Sequence, residues 1–309
     1  MPGEPTATGP LLTAGELATR LQTTAQHSGA VPVLLDVRWD LGGGADPDGF
    51  AAAHVPGAFF CDLEAVLSGP GAPDGTDGRH PIPHPGDVRT WLRAHRITPG
   101  DPVVVMDGGH GAGAARGWWV LRDAGQQDVR VLDGGLRAWR AAGLPLEQGP
   151  AAAPVATDDL PAPSAEFREA PGALPRATAP QLRGGLPAGT AGLDARPAAR
   201  YRGEELGPDP VGGHLPGFRS LPVADLYSDG VLRDPEEVRA RLADAGVDAT
   251  TPVVVSCGSG ITACQVALAH QQVFPGAPEP VLYPPSFSGW LAGGHPLATG
   301  AEPGTMPPA

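Results

Sequence analysis

The sequence predicts an α/β fold built twice: two domains in tandem, each a central, mainly parallel sheet with helices on both faces. Three observations carry this. Short β-branched runs, "VPVLLDV" at 31–37 and "PVVV" at 102–105 and 252–255, read as buried parallel strands. Helix-start signals alternate with them, which implies sheets covered on both faces. One set of landmarks also recurs, in order, across the two halves.

Taken in chain order, the first helix opens at "TAGE", Thr13 to Glu16, which has capping-box form, with Leu17 and Leu21 following at helical spacing. The first long strand ends in Asp36-Val-Arg38, and a His-x-Pro-Gly turn follows at His54. The second half repeats the pair with Asp194-Ala-Arg196 and His214, and "TAPQ" at Thr178 opens it as "TAGE" opens the first. The separations are 18 and 20 residues from the aspartate to the histidine. Next, "PVVVMDGGHGAGAARGWWVLRDAG" parallels "PVVVSCGSGITACQVALAHQQV", and each leads to a short strand and a tryptophan, Trp139 or Trp290. "DPEE" at Asp234 supplies an N-cap, a proline at the first helical position and acids in the first turn. Domains are expected over residues 11–146 and 176–299. A proline- and alanine-rich linker is expected over 147–175, and mobility in that linker and in the first and last ten residues.

The formal net charge is -13, which disfavours nucleic acid and anionic membranes as partners. The start lacks a basic segment followed by an apolar run, and no window is apolar for about 18 residues, so neither a signal peptide nor a membrane span is expected. Cys61, Cys257 and Cys264 have no metal-ligand spacing and cannot all pair; a reducing cytoplasm fits, with no metal and no cofactor.

Cys257 is the informative residue. A valine strand delivers it to the C-terminal edge of a parallel sheet, where ligands bind in open α/β sheets. Gly258 and Gly260 let the chain fold closely around the sulfur. The helix beginning near Thr262 turns free N–H groups and its positive dipole end toward the loop, an environment that favours a thiolate or a terminal persulfide anion. The matching residue of the first half is Asp107, which can neither attack nor carry sulfur, so that half is expected to be catalytically inactive. Cys264, two helical turns on, and Cys61 read as core residues. The bland alternative for Cys257 is also a buried core cysteine.

The two unequal copies, the Asp-x-Arg strand ends, the paired His-x-Pro-Gly turns and "CGSGIT" together resemble the two-domain rhodanese family, of the 3-mercaptopyruvate or thiosulfate sulfurtransferase type. "GRHPIPHP" at 78–85, "VLDGGLRAW", "AARYRGE" and "DPVGGHLPG" match it too. The resemblance implies tandem rhodanese-like domains and a sulfurtransferase that forms a Cys257 persulfide, held by the N–H groups of Gly258, Ser259, Gly260, Ile261 and Thr262, with hydroxyl help from Ser259 and Thr262. It implies that Arg200 binds a small anionic sulfur donor, and that His54 lies near the substrate, although a turn-bracing role fits His54 equally because both copies carry it. Arg38 and Arg196 are expected to brace loops through Asp36 and Asp194. The acceptor is expected to be a thiol, cyanide or a thioredoxin-like protein, and the sequence does not choose among them. The uncharged loop favours mercaptopyruvate over the thiosulfate dianion.

Two departures stand out. Where relatives can carry a second substrate arginine, the chain near Pro208 and Asp209 has none. Where relatives have Asp-Gly-Ser-Trp, this chain has "PPSF", and Pro284 and Pro285 remove two backbone donors. Two rival readings stand against this one, and the first fails on one residue. A cysteine phosphatase of this domain shape needs an arginine six residues after the cysteine, and Ala263 stands there. The second rival is a degenerate rhodanese acting as a non-catalytic binding or sulfur-carrier protein.

Overall fold

The computed structural model describes residues 9–26, 30–150, 164 and 169–307. Two parallel sheets organise it. The first runs in the order β1-β7-β6-β2-β5, from β1 (Leu11–Leu12), β2 (Val33–Asp36), β5 (Phe59–Phe60), β6 (Val103–Met106) and β7 (Val129–Leu132). A small antiparallel ribbon, β3 (Trp39–Asp40) with β4 (Gly44–Ala45), follows β2. The second sheet runs β13-β12-β8-β9, from β8 (Ala191–Asp194), β9 (Phe218–Ser220), β12 (Val253–Ser256) and β13 (Val281–Leu282), with a second ribbon of β10 (Tyr227–Ser228) and β11 (Val231–Leu232). Every pairing within the two main sheets is parallel.

The repeat holds in register. Asp36 pairs with Met106 and Asp194 with Ser256, so each Asp-x-Arg leaves its sheet beside the strand that enters the glycine loop. Arg176 bridges to Leu282 where β1 pairs with β7 in the first half. Trp139 and Trp290 each donate their indole N–H to a proline carbonyl six residues on, both at 2.7 Å.

The helices of the first half are α1 (Ala14–Gln26), α2 (Pro47–Ala52), α3 (Leu63–Val66), α4 (Pro85–Ala94), α5 (Ala112–Asp123) and α6 (Gly135–Ala141). Those of the second are α7 (Ala179–Arg183), α8 (Ala198–Arg202), α9 (Val223–Leu226), α10 (Pro235–Asp244), α11 (Ala263–Val273) and α12 (Ser286–Ala292). The expected caps are present: Thr13 and Glu16 bond reciprocally, Thr178 and Gln181 form a capping box, and Asp234 accepts from Glu236 N–H. α5 and α11 are buried nearly all round, because each lies between its own sheet and the other half. Their contact joins the two halves in one apolar core that runs from Leu35 and Val105 to Val255 and Ala267.

Most of the expected 147–175 linker, and residues 1–8, lie outside the described residues. The mobility expected in the last ten residues meets fixed contacts over 300–306. Gly300 N–H bonds Arg202 O, Pro303 O accepts from Gly217 N–H, and Met306 packs on the second-half core. Among the described residues no helix is long and apolar enough to cross a membrane.

Candidate active site

β12 ends at Ser256, and the next residue, Cys257, helps to line a cavity of about 320 Å³ between the halves. Cys257 is 1% exposed, and its loop neighbours Gly258, Ser259, Ile261 and Thr262 line the same cavity with Arg196, Arg200, Arg79, Trp39 and the 222–224 segment. Gly260 N–H donates to the Cys257 sulfur at 3.1 Å. Gly260 sits at φ +81, a left-handed conformation that favours glycine. Among the described residues no acceptor takes the N–H groups of Ser259, Ile261 or Thr262. Buried N–H groups are nearly always paired, so this row of free donors beside a sulfur is suited to an anion.

The first half displays what such a loop holds. Asp107 is 2% exposed, and its carboxylate accepts from Gly109 N–H at 2.8 Å, Gly111 N–H at 3.1 Å and Ala114 N–H at 3.3 Å. There the chain supplies its own anion to the cradle.

The other two cysteines are fully buried core groups. Burial pushes the Cys264 thiol up to about 12, and its sulfur contacts Gly260 O at 3.4 Å. Burial raises the Cys61 thiol further.

Arg196 lines the cavity but is committed. It is bidentate on Asp194, donates to Gly213 O at 2.6 Å and stacks 3.9 Å over Phe287. Arg38 does the same in the first half, gripping Asp36 and the Gly49 and Ala53 carbonyls. Arg200 is different. It gives one N–H to Asp209 at 3.0 Å, while its buried Nε has no acceptor among the described residues. Arg202, two residues on, pairs with exposed Glu204 outside the cavity.

His54, expected either near the substrate or as a brace of its turn, is held within its turn. His54 does not line the cavity. Its ring stacks on Phe50 at 4.0 Å, its Nδ1 lies 2.9 Å from Phe50 O, and its backbone pairs with Glu147. Its counterpart His214 stacks on Tyr201 at 3.7 Å and bridges Tyr201 O and Glu302 O. Both histidines brace their turns.

Three residues beyond those expected complete the site. Ser286 follows the double proline with φ +52, where the first half has Gly135 at φ +54. Its hydroxyl oxygen accepts Cys257 N–H at 3.2 Å and lies 4.0 Å from the sulfur. Phe287 and Ser288 N–H then bond the Cys257 and Gly258 carbonyls, so the reshaped turn clamps the loop. Arg79, from the first half, enters the cavity and pairs with Asp209. Arg116, on α5 and fully buried, donates to Gly260 O at 3.0 Å, Leu67 O at 3.0 Å, His80 O at 3.0 Å and Pro81 O at 2.9 Å. One guanidinium thus ties the loop to the segment that carries Arg79. The "PPSF" departure signalled Ser286; Arg79 and Arg116 lay in quoted motifs with no local sign of a role.

A family model for the rhodanese-like domain matches residues 13–142. Over 302 residues the chain is 39% identical to the "Probable 3-mercaptopyruvate sulfurtransferase" of Pseudomonas aeruginosa, covering 94% of this chain and 100% of that protein. It is 32% identical to the thiosulfate sulfurtransferase of Cricetulus griseus, covering 77% of each chain. Among solved structures it is similar to SseA from Escherichia coli, described as a 3-mercaptopyruvate sulfotransferase of the rhodanese fold. There the TM-score is 0.71 at 28% identity, over 90% of this chain and 99% of that one.

Proposed function

Since the chain belongs to the two-domain rhodanese family and is a sulfurtransferase, we propose that Cys257 is its nucleophile and that 3-mercaptopyruvate is its preferred donor over thiosulfate. The observation that carries the assignment of Cys257 is its place in the cavity lining, with Gly260 N–H directed at its sulfur and the amides of Ser259, Ile261 and Thr262 uncommitted.

The reaction divides into two displacements. The Cys257 thiolate attacks the donor sulfur. With mercaptopyruvate the S–S bond forms as the C–S bond breaks, the thiol proton ends on the methyl carbon, and pyruvate leaves. With thiosulfate the S–S bond of the donor breaks and sulfite leaves. Either way the product is a Cys257 persulfide anion, whose charge the amides of residues 258–262 stabilise, with the Ser259 and Thr262 hydroxyls as further donors. Cyanide, a thiol or a thioredoxin-like thiol then takes the outer sulfur and restores the thiolate. Arg200 holds the donor carboxylate, because its planar fork suits that group and part of it is unpartnered.

On this reading residues 11–146 form the catalytically inactive domain, since Asp107 fills its cradle, and 176–299 form the catalytic one. A reducing cytoplasm is the proposed compartment, because the mechanism needs a free thiol and the three cysteines are unpaired. The test is steady-state sulfur transfer to cyanide from both donors. Wild type turns over with mercaptopyruvate as the better donor, and Cys257→Ser is inactive with both; retained turnover in that variant removes Cys257 from the role.

A further inference from the structure

Arg79 belongs to the first half, yet it stands in the cavity of the second. It follows Gly78, whose φ is +80, and its backbone N–H is held by Ser288 Oγ at 3.1 Å. Arg116 fixes the next two carbonyls, those of His80 and Pro81. The position of Arg79 is therefore set by the second half's turn and by the buried guanidinium behind the loop.

Asp209 joins Arg79 to Arg200. It is 3% exposed, and its two carboxylate oxygens are divided, Oδ1 to Arg79 and Oδ2 to Arg200. Among the described residues the remaining Nη2 of Arg79 has no acceptor, nor has Nε of Arg200. Both guanidinium groups converge on Gly258. A Cβ placed there meets Arg79 Nη2 at 3.1 Å and Arg200 Nη2 at 3.6 Å. Gly258 does not have a left-handed φ, so the close approach of Arg79 is what its missing side chain permits. Two cations sharing one carboxylate, one residue from Cys257, leave this arginine–carboxylate cluster with a net charge of +1 and unused donors on both arginines.

We infer that Arg79 is a donor-binding residue supplied by the catalytically inactive half, and that Asp209, by neutralising one of the two guanidinium groups, selects a monocarboxylate donor over a dianion. This rests on the proposed Cys257 chemistry. The pair supplies a second fork where the local sequence, with an aspartate at 209, offers none. A donor with one carboxylate matches the single uncompensated charge. Thiosulfate carries two negative charges and leaves one unmatched. On this reading the donor site of the second half draws one of its arginines from the first.

The test compares kcat/KM for mercaptopyruvate and thiosulfate in wild type, Arg79→Gln, Arg79→Lys and Asp209→Asn. The rate at which cyanide discharges a preformed persulfide and the thermal midpoint are measured alongside. Arg79→Gln is expected to raise the KM for both donors about tenfold or more, with discharge affected much less than donor loading. Arg79→Lys, keeping the charge but not the fork, recovers thiosulfate more than mercaptopyruvate. Asp209→Asn shifts the ratio of the two kcat/KM values toward thiosulfate by about tenfold. Donor kinetics in folded Arg79→Gln equal to wild type overturn the role of Arg79. An Asp209→Asn variant that weakens both donors equally overturns charge selection. A wild type that acquires no sulfur overturns the Cys257 reading itself, and this inference with it.

Discussion

The hydroxyl oxygen of Ser286 lies 4.0 Å from the Cys257 sulfur and accepts that residue's N–H at 3.2 Å, from a backbone at φ +52. A serine thus occupies a left-handed conformation that glycine fills in the other half, and its reward is a bond to the amide of Cys257.

Two substitutions separate the conformation from the hydroxyl. Ser286→Ala leaves the Cys257 N–H buried without a partner, at a cost of about 1–3 kcal/mol, and keeps the φ strain. Ser286→Gly loses the same bond but removes roughly 1 kcal/mol of strain. The glycine variant is expected to melt above the alanine variant by on the order of 1–2 °C. Differential scanning calorimetry decides it; an alanine variant that melts higher contradicts the strain argument.

Arg200 and Arg202 make a matched pair two residues apart, one in the cavity and one in an exposed pair with Glu204. Arg200→Ala is expected to lower kcat/KM for mercaptopyruvate about ten- to a hundredfold, mainly through KM, since a charged hydrogen bond is worth about 1.5–3 kcal/mol. Arg202→Ala leaves it within about twofold, because an exposed ion pair contributes little. Equal effects of the two would refute the assignment of Arg200.

His80 gives the molecule an acid limit. Burial, reinforced by the nearby Arg116 charge, holds its imidazole down at about 4, against an ordinary 6.5. The folded state resists the proton that the unfolded chain accepts. The stability His80 contributes is therefore complete above about 6.5 and is lost as pH falls toward about 4. Its neighbours are Trp39, whose ring meets it edge-on at 5.4 Å, Glu64, Arg79 and Arg116. In melts between pH 7 and pH ~4.5, His80→Gln is expected to lose less stability than wild type. Parallel curves for the two proteins would show that His80 does not set this limit.

The fold was legible because its evidence is local. Valine runs, caps and the paired Asp-x-Arg and His-x-Pro-Gly elements each act within a few residues, and duplication made every sign appear twice. The placement of Cys257 between a strand and a helix start was legible for the same reason: strand, glycines and helix start surround it in sequence. What stayed hidden depends on distance along the chain. Arg79 reaches Asp209 across 130 residues, and Arg116 reaches Gly260 across 144. No pattern near either residue records that. The C-terminal tail looked free because its partners, Gly217 and His214, lie far upstream. His54 left two readings open because both copies carry the histidine, and what the structure adds is its packing on Phe50 within the turn.

The most direct test is the intact mass of the protein after brief exposure to excess mercaptopyruvate, followed by peptide mapping. The expected result is a gain of about 32 Da, one sulfur atom, on the peptide containing Cys257, removed by cyanide and missing in Cys257→Ser. A gain that survives the serine substitution, or that maps to Cys61 or Cys264, contradicts the account.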